Sequence, residues 1–294
     1  MQILTTIQSL REAIEILRRS RLQPGCVPVG HVQVGHVQVG FVPTMGALHA
    51  GHLSLAERAR AECGIVVASL FVNPTQFAPG EDFSRYPRQP ERDYELFAAA
   101  GVDLVFAPGV EEIYPAGAAT IVDVGELGRR LDGAFRPGHF QGVATIVSKL
   151  FHIVSPSRAY FGQKDAAQVA VLRRMVRDLN FDLELVACPI VRDLDGLAMS
   201  SRNAYLTQDE RKAARALPRT LDVLRKEIER GQTSVSTLLN QGETMLRNSP
   251  GIEFEFLEAI DAETLLPVQC AEPGTLFALA AKAGRTRLID NFIA

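Results

Sequence analysis

The stretch VGFVPTMGALHAGHLSLAERARAECGIVVASLFV, Val39–Val72, joins a short apolar run, a glycine-rich turn, a helical segment and a second apolar run. The first run, Val39–Pro43, predicts a strand, and a helix is expected from about His52 to Glu62. The run Ile65–Val72 is nearly all apolar and rich in β-branched residues, which is typical of a strand buried on both faces. Strand, helix and strand in this order indicate a parallel sheet with helices on its faces.

The same alternation extends on both sides of this stretch. A first helix is expected from about Thr6 to Arg21, because apolar residues recur there at helical spacing before Pro24-Gly25. Further helices are predicted from Pro90 to near Gly101, over Val143–Ile153, and from the loop after Phe161 through Leu179. Further strands are predicted at Val102–Ala107, Ala159–Phe161 and Leu183–Val186. The pattern predicts a Rossmann-like α/β fold with helices on both faces of the sheet.

The character of the sequence changes after about Asp193. Thr207–Glu210 forms a capping box for a helix, and helical segments continue to about Asn248. Phe254–Ala259 and Thr275–Lys282 resemble strands. We therefore expect a Rossmann-like domain over residues 1–190, a smaller α+β domain over residues 191–294, and a boundary near residues 188–200.

Composition narrows the class of protein. The chain has 294 residues, a length that fits two domains or one large one, and 47% of them are hydrophobic, enough for a sizeable core. A net charge of −3 does not favour nucleic-acid binding, and no apolar run is long enough for a membrane span. Cys26, Cys63, Cys188 and Cys270 are scattered, and the N-terminus lacks a signal-peptide plan, so a cytoplasmic protein without a structural zinc site is predicted.

The pentapeptide GHVQV occurs twice before the first strand, at Gly30–Val34 and Gly35–Val39. Its histidines, His31 and His36, are five residues apart and would lie on opposite faces of a continuous strand, so a shared metal would need a turn between them. Gly35-His36 could be the loop of a hairpin, and a flexible loop is the alternative. In neither case do we predict a catalytic role.

Two strand-to-helix turns suit phosphate binding. In Pro43–His52 (PTMGALHAGH), glycines allow close approach of a ligand, and His49 and His52 lie three apart at a helix start. In Phe161–Asp165 (FGQKD), Lys164 could meet a phosphate while Asp165 caps the next helix, and Gln168 lies one turn further on. The alternatives are ordinary polar caps and a charged helix start.

Three other polar stretches are candidates. Asn73–Phe77 (NPTQF) offers amides that suit a small polar acid, although Asn-Pro is also a common turn. Met199–Asn203 (MSSRN) suits a mobile phosphate clamp or a polar linker. Arg136–Gln141 (RPGHFQ) could bring Arg136 or His139 to a site or simply begin a helix. The sequence has no Walker-type loop and no GxGxxG after a strand. A set of phosphate donors without an obvious protein nucleophile fits a reaction in which the substrate itself attacks the α-phosphate of a nucleotide.

The residues also carry a family resemblance. His49-Ala-Gly-His52 resembles the HIGH signature of the nucleotidyltransferase superfamily, and Met199-Ser-Ser-Arg202 resembles its KMSKS counterpart. The strings FVPTMGALHAGH, FVNPTQF, RPGHFQGV, FGQKDAAQ and MSSRNAYL together resemble the pantothenate synthetase (pantoate–β-alanine ligase) family over nearly the whole chain. The resemblance implies that pantoate and ATP form pantoyl adenylate and pyrophosphate, after which β-alanine displaces AMP to give pantothenate.

The resemblance also implies roles for particular residues. His52 is implied as a proton donor, and we interpret it, with His49, Lys164, Ser200 and Arg202, as a catalytic donor to the phosphates. The implied ATP site comprises Met45, Gly46, Ala47, Leu48, His49, Ala50, Gly51, His52, Gly162, Gln163, Lys164, Asp165, Val191, Met199, Ser200, Ser201 and Arg202. Gln76 and Gln168 would hold pantoate, with Asn73 in support.

Mg²⁺ is expected to arrive with ATP, and no separate protein metal site is predicted. The family resemblance further implies a cytoplasmic homodimer built through the N-terminal domain and a C-terminal domain that acts as a lid. Three alternatives stay open at this stage: another HIGH-motif adenylyltransferase that keeps the nucleotide on its product, an RNA-binding relative of class I aminoacyl-tRNA synthetases, and a non-catalytic nucleotide-binding protein. Mild acidity weighs against the second alternative.

Overall fold

The computed structural model describes residues 1–21, 37–78 and 80–294. The stretch around Gly35-His36, for which the sequence left a hairpin and a flexible loop open, and residue Cys26 lie outside the described residues. The larger sheet contains β1 (Gln2–Leu4), β2 (Val39–Thr44), β3 (Ile65–Leu70), β4 (Leu104–Phe106), β5 (Arg158–Gly162) and β6 (Glu184–Cys188). Its strand order is β1-β4-β3-β2-β5-β6, and every neighbouring pair is parallel.

Helices cover both faces of this sheet. They are α1 (Ile7–Arg21), α2 (Ala50–Glu62), α3 (Pro90–Ala99), α4 (Val110–Ile113), α5 (Asp132–Phe135), α6 (His139–Val154) and α7 (Ala166–Asp178). Successive residues of β2 point to opposite faces, so Phe41 packs in the cluster with α1, α6 and α7, whereas Val42 packs in the cluster with α2 and α3. Both side chains are fully buried. The predicted α/β class with helices on both faces is confirmed.

The strand order creates a crevice between β2 and β5. From β2 the chain runs outward through β3 to β4, whereas β5 and β6 lie on the other side of β2. Ligands of open parallel sheets bind at such a reversal, beyond the carboxyl ends of the strands. The turn from β2 to α2 and the turn from β5 to α7 therefore form two neighbouring walls.

The remaining elements form a smaller α+β unit. They are α8 (Gln208–Ala214), α9 (Ala216–Glu229), α10 (Val235–Arg247), β7 (Ile252–Asp261), β8 (Thr275–Ala283) and β9 (Thr286–Ile293). The sheet is antiparallel in the order β7-β8-β9. Phe277 faces the helices of this unit, whereas its neighbour Ala278 belongs to the core of the larger sheet. The two sheets thus share an apolar contact. The boundary near residues 188–200 stays a prediction.

The prediction missed some elements and bounds. Strands β1 and β9 were not predicted, and α6 begins at His139 instead of Val143. Strand β1 has only three residues, too few for a periodic pattern, and it is ordered by pairing with β4. Among the described residues, no helix has the length and apolarity needed to cross a bilayer.

Candidate active site

A buried carboxylate holds the turn between β2 and α2. Asp93 of α3 is 2% exposed, and its two oxygens accept hydrogen bonds from the backbone N–H groups of Ala47 (2.9 Å) and Leu48 (2.8 Å). Gly46 and Ala47 both have left-handed φ values, 88° and 52°. A Cβ atom on Gly46 would lie 2.9 Å from the Asp93 carboxylate, so glycine is required there. Sequence reasoning missed Asp93, since an acid in the first turn of a helix is ordinary.

His49 and His52 cap α2 reciprocally. The Nδ1 atom of His49 accepts from Gly51 N–H at 3.2 Å, and the Nδ1 atom of His52 accepts from His49 N–H at 3.4 Å. Their ring centroids are 4.0 Å apart. Because a backbone N–H can only donate, each neutral imidazole carries its proton on Nε2. Both the capping interpretation and the phosphate interpretation are therefore compatible with the same two side chains.

Both imidazoles are neutral near pH 7. Burial lowers the pKa of His49 to about 4, and the neighbouring Lys164 contributes to this lowering. Burial, followed by the proximity of His49, lowers the pKa of His52 to about 3. Each ring thus offers one Nε2–H donor to phosphate without carrying a positive charge.

The turn between β5 and α7 presents Lys164. Its ammonium lies 3.5 Å from the Asp165 carboxylate, and its side chain is 20% exposed. The neighbouring Gln163 side chain donates to the side-chain oxygen of Asn291 in β9 at 3.4 Å. Asn291 in turn donates to the backbone carbonyls of Gln163 (3.0 Å) and Lys164 (2.8 Å). The second wall is therefore in contact with the C-terminal sheet.

Asn73 uses its side chain to hold other residues. It is 1% exposed, and its amide nitrogen donates to the side-chain oxygen of Gln76 (3.2 Å) and to the carbonyl of Gly142 (3.2 Å). Its oxygen accepts from the hydroxyls of Tyr114 (2.9 Å) and Thr75 (3.0 Å). Asn73 thereby holds the side chain of Gln76 in place. Tyr114 supports Asn73 and was not predicted from the sequence.

The stretch RPGHFQ, for which the sequence left open a role in the site or a plain helix start, brings Arg136 and His139 to the site. Arg136 makes two hydrogen bonds to Glu81 (2.8 and 2.7 Å) and donates to Nε2 of His139 at 3.0 Å. The proton of neutral His139 is therefore on Nδ1, which donates to the carbonyl of Gln76 at 2.8 Å. Burial and the adjacent Arg136 lower the pKa of His139 to about 4, so this ring also stays neutral.

The stretch MSSR, Met199–Arg202, also lines the site. Met199 N–H donates to the carbonyl of Val191 at 2.9 Å, which ties the two predicted nucleotide contacts together. The Ser200 hydroxyl accepts from Arg202 N–H at 3.3 Å and starts a short 3₁₀ turn. Ser201 contacts the hydroxyl of Tyr86 at 3.4 Å. Tyr86 is 5% exposed and was not predicted as a site residue.

These stretches enclose a cavity of about 240 Å³. Predicted site residues that line it are Met45, His49, Gly51, His52, Asn73, Gln76, Gly162, Lys164, Asp165, Gln168, Val191, Met199, Ser200, Ser201 and Arg202. Its apolar wall includes Phe71, Val143 and Val147. Predicted ATP contacts that do not line it are Gly46, Ala47, Leu48, Ala50 and Gln163. Their contact with ATP stays a prediction.

A larger cleft adjoins this cavity. It measures about 910 Å³ and extends to β8 and β9 of the C-terminal sheet. Both spaces are lined by Arg136, His139, Lys164, Asp165, Gln168, Ser200 and Arg202. A ligand longer than the cavity could therefore extend into the cleft past the ammonium of Lys164 and the guanidinium of Arg202.

The side chains that line the cavity suit a cation that arrives with a ligand better than a permanently bound metal ion. Over the described residues, no group of three or more His, Cys, Asp or Glu side chains could hold a metal ion. Asp165 is nevertheless a half-exposed carboxylate beside Lys164, on the wall of the cavity. Mg²⁺ commonly binds one or two carboxylates together with substrate phosphates, so these residues fit Mg²⁺ that arrives with a nucleotide.

The fold and the site define a Rossmann-like class of α/β protein in which polar side chains line a cavity at the switch point of the sheet. The particular family follows from comparison with known proteins: the model of the pantoate-beta-alanine ligase family matches residues 2–293. The chain therefore belongs to this family, which confirms the resemblance noted in the sequence. It also confirms that the chain is a ligase.

Two curated relatives illustrate the similarity. The pantothenate synthetase of Acidobacterium capsulatum is 58% identical over 253 residues, which cover 86% of this chain and 85% of that protein. The pantothenate synthetase of Moorella thermoacetica is 49% identical over 293 residues, covering 100% and 98%.

Solved structures agree with the fold. The pantothenate synthetase of Thermus thermophilus superposes with a TM-score of 0.88 at 49% identity, covering 100% of this chain and 99% of that one. The pantoate-beta-alanine ligase of Francisella tularensis, described as complexed with beta-gamma ATP and beta-alanine, has a TM-score of 0.75 at 32% identity, covering 100% and 97%.

Proposed function

We propose that the chain uses ATP to ligate pantoate and β-alanine to pantothenate through a pantoyl-adenylate intermediate. The observation that carries this proposal is the meeting of two phosphate-donor turns at the ends of β2 and β5, around a cavity that also contains Gln76 and Gln168. Family membership over residues 2–293 supports ligation rather than transfer of a nucleotide that stays on the product.

The first step forms the adenylate. A carboxylate oxygen of pantoate attacks the α-phosphorus of ATP, the bond to the β-phosphate oxygen breaks, and pyrophosphate leaves with the electron pair. His49 and His52 donate from Nε2, and Lys164, Ser200 and Arg202 complete the donor set around the phosphates. Preorganised donors of this kind stabilise the charge that develops in the transition state, since they need no reorientation during the reaction.

Gln76 and Gln168 hold pantoate on the wall of the cavity. Gln76 is supported by Asn73 through its side chain and by His139 through its backbone carbonyl, which limits its movement. The apolar wall at Phe71, Val143 and Val147 suits the hydrocarbon part of the acid. Asn73 acts in this scheme as a support for Gln76.

The second step uses the same cavity. The amine of β-alanine attacks the acyl carbon of the adenylate, the bond from that carbon to the AMP phosphate oxygen breaks, and the nitrogen loses a proton as AMP leaves. The family resemblance also implies that Gln76 lies near the β-alanine position. Mg²⁺ bound with ATP would neutralise charge on the phosphates, and Asp165 is the carboxylate placed to meet it.

We extend the proposal to the organisation of the protein. Residues 1–190 would bind ATP and pantoate, residues 191–294 would act as a lid, and two chains would associate through the N-terminal domain in the cytoplasm. Light scattering coupled to size-exclusion chromatography would check the dimer, with a mass near 32.1 kDa contradicting it.

Omitting each substrate in turn tests the reaction itself. With ATP, pantoate and β-alanine together, we expect release of AMP, pyrophosphate and pantothenate in equal amounts. Leaving out β-alanine should still give pyrophosphate exchange that depends on pantoate. An organic product that retains AMP after β-alanine is added would favour the alternative, an adenylyltransferase, and would overturn ligation.

A further inference from the structure

Asn291 of the C-terminal sheet is bonded to the turn that carries Lys164. Its side chain is nearly inaccessible, and the residue is 2% exposed. Its amide nitrogen donates to the carbonyls of Gln163 at 3.0 Å and of Lys164 at 2.8 Å, and its amide oxygen accepts from the Gln163 side chain at 3.4 Å. All three bonds reach the same turn, which is distant in the sequence.

The position of Asn291 is itself fixed. It pairs with Ala278 of β8, and its backbone N–H donates to the neighbouring Asp290 carboxylate at 2.8 Å. Asp290 is 3% exposed and accepts two hydrogen bonds from Arg192, at 2.7 and 2.9 Å. Arg192 lies in the segment that links the two sheets. Asn291 therefore presents its amide from a strand that is paired with β8 and bonded to this linking segment.

Lys164 is sensitive to how its turn is held. Lys164 lines both the cavity and the adjoining cleft, and it lies two residues after Gly162, the last residue of β5. A shift of the backbone at Lys164 moves the ammonium relative to the phosphates, and a misplacement of about 1 Å can cost about 100-fold in rate. The two carbonyls that Asn291 binds belong to Lys164 and to the residue before it.

We propose that Asn291 is a positioning residue of the reaction: its side-chain amide fixes the Gln163–Lys164 turn so that the Lys164 ammonium meets the phosphates of ATP. Asn291 is thus the link through which docking of the C-terminal sheet reaches the phosphate site. The proposal rests on the proposed role of Lys164 as a phosphate donor. Asn291 does not touch substrate in this scheme and acts through Lys164.

A double-mutant cycle in the full chain separates this role from a structural one. Asn291→Ala should lower kcat/KM for ATP by about 10- to 100-fold and leave KM for β-alanine within about twofold. Asn291→Asp keeps the shape of the side chain but sets an oxygen against two carbonyls, so its loss should be larger. In the Lys164→Ala background, Asn291→Ala should have no further effect, because the group it positions is gone.

Thr275→Val is the matched control. Thr275 is buried at the start of β8, and its hydroxyl accepts from Glu272 N–H. The residue lines neither the cavity nor the cleft. It should lower the melting temperature while leaving kcat/KM for ATP within about twofold. Equal losses from Asn291→Ala with and without Lys164 would overturn the proposal, and so would a loss that Thr275→Val reproduces.

Calorimetric titration with ATP in the absence of pantoate measures the dissociation constant of ATP for the full chain, for each single mutant and for the double mutant, and so repeats the cycle for binding alone. We expect Asn291→Ala to weaken ATP binding only when Lys164 is present. Because this measurement does not need the ligation reaction, it distinguishes failure of the positioning role from failure of the proposed function. Additive effects on the free energy of ATP binding would refute the positioning role even if the chain makes pantothenate.

Discussion

The turns after β2 and after β5 both carry residues proposed to bind phosphate, but they are held by different parts of the molecule. The β2 turn is held by residues of the larger unit alone: Asp93 accepts from its backbone, and His49 and His52 cap the helix that follows it. The β5 turn is bonded to Asn291 of the smaller sheet. One wall of the site is therefore complete without the C-terminal unit, whereas the other depends on it.

This difference divides the site into a preformed part and a part coupled to the second unit. Movement of the C-terminal sheet would shift the Lys164 turn and leave the two histidines in place. Substitutions in each wall probe this division.

Removing a donor from either turn should have the largest effect. His52→Ala and Lys164→Ala should each slow adenylate formation by about 10²- to 10³-fold, because each removes a preorganised donor to the phosphates. Pantoate-dependent pyrophosphate exchange measures the rate, and circular dichroism should show that both variants stay folded. Near-normal turnover in both would refute the roles given to these residues.

Asp93→Ala should disturb the first wall alone. It leaves the buried N–H of Leu48 and the part-buried N–H of Ala47 without their acceptor, and the buried group alone costs about 1–3 kcal/mol in unfolding free energy. We expect slower adenylate formation, about 10-fold or more, since the histidines follow directly after this turn. Urea unfolding and pyrophosphate exchange check both expectations.

The comparison predicts that the effects of Asp93→Ala and Asn291→Ala on the rate multiply, because they act on separate walls. Asp93→Asn is the matched control for Asp93→Ala. It keeps the side-chain shape and one acceptor oxygen but sets an NH2 donor against the other backbone N–H, so only one of the two hydrogen bonds should persist. A double mutant no slower than the worse single mutant would show that the walls are not independent.

The histidines should titrate far below the ordinary range. With folded pKa values of about 4 for His49 and about 3 for His52, against 6.5 in a free side chain, the unfolded chain binds protons first as pH falls. Their contribution to stability is therefore fully present above pH 6.5 and is lost as pH falls towards 4 and then 3. NMR of protein labelled with ¹⁵N-histidine should show neutral rings protonated on Nε2 at about pH 6, with His49→Gln and His52→Gln assigning the signals. Titration of both rings near their ordinary pKa would contradict their role as neutral donors.

The smallest effect is expected for the GHVQV repeat. Val39 is buried and pairs with Ile65 at the start of β2, but deletion of Gly30–Val39 places Val29 next to Gly40 and so keeps a valine there. Kinetic constants for ATP should stay within about twofold of the full chain, since both phosphate turns lie at the other end of the strands. Deletion of Gly30–Val34 alone is the milder control. A folded but inactive deletion variant would show that the repeat contributes to the site.

The sequence by itself determined the α/β class, the strand-turn-helix setting of the two phosphate turns and the family. Periodicity, glycines and contiguous motifs are local, so they can be read without coordinates. The roles of the predicted site residues stay predictions, although the structure places most of them around one cavity. For Arg136 and His139 the sequence left two interpretations open, and the structure places both beside Gln76.

Only the tertiary structure decided how the donors are held. Asp93 meets the first turn across 46 residues, and Asn291 meets the second across 127 and 128 residues. The sequence around each is an ordinary helix start or strand end, without a signal of its partner. The tautomers of His49, His52 and His139 were likewise decided by which neighbour donates to which ring nitrogen. Such contacts depend on the packing of distant segments, whereas the motifs that they hold in place are written in a few consecutive residues.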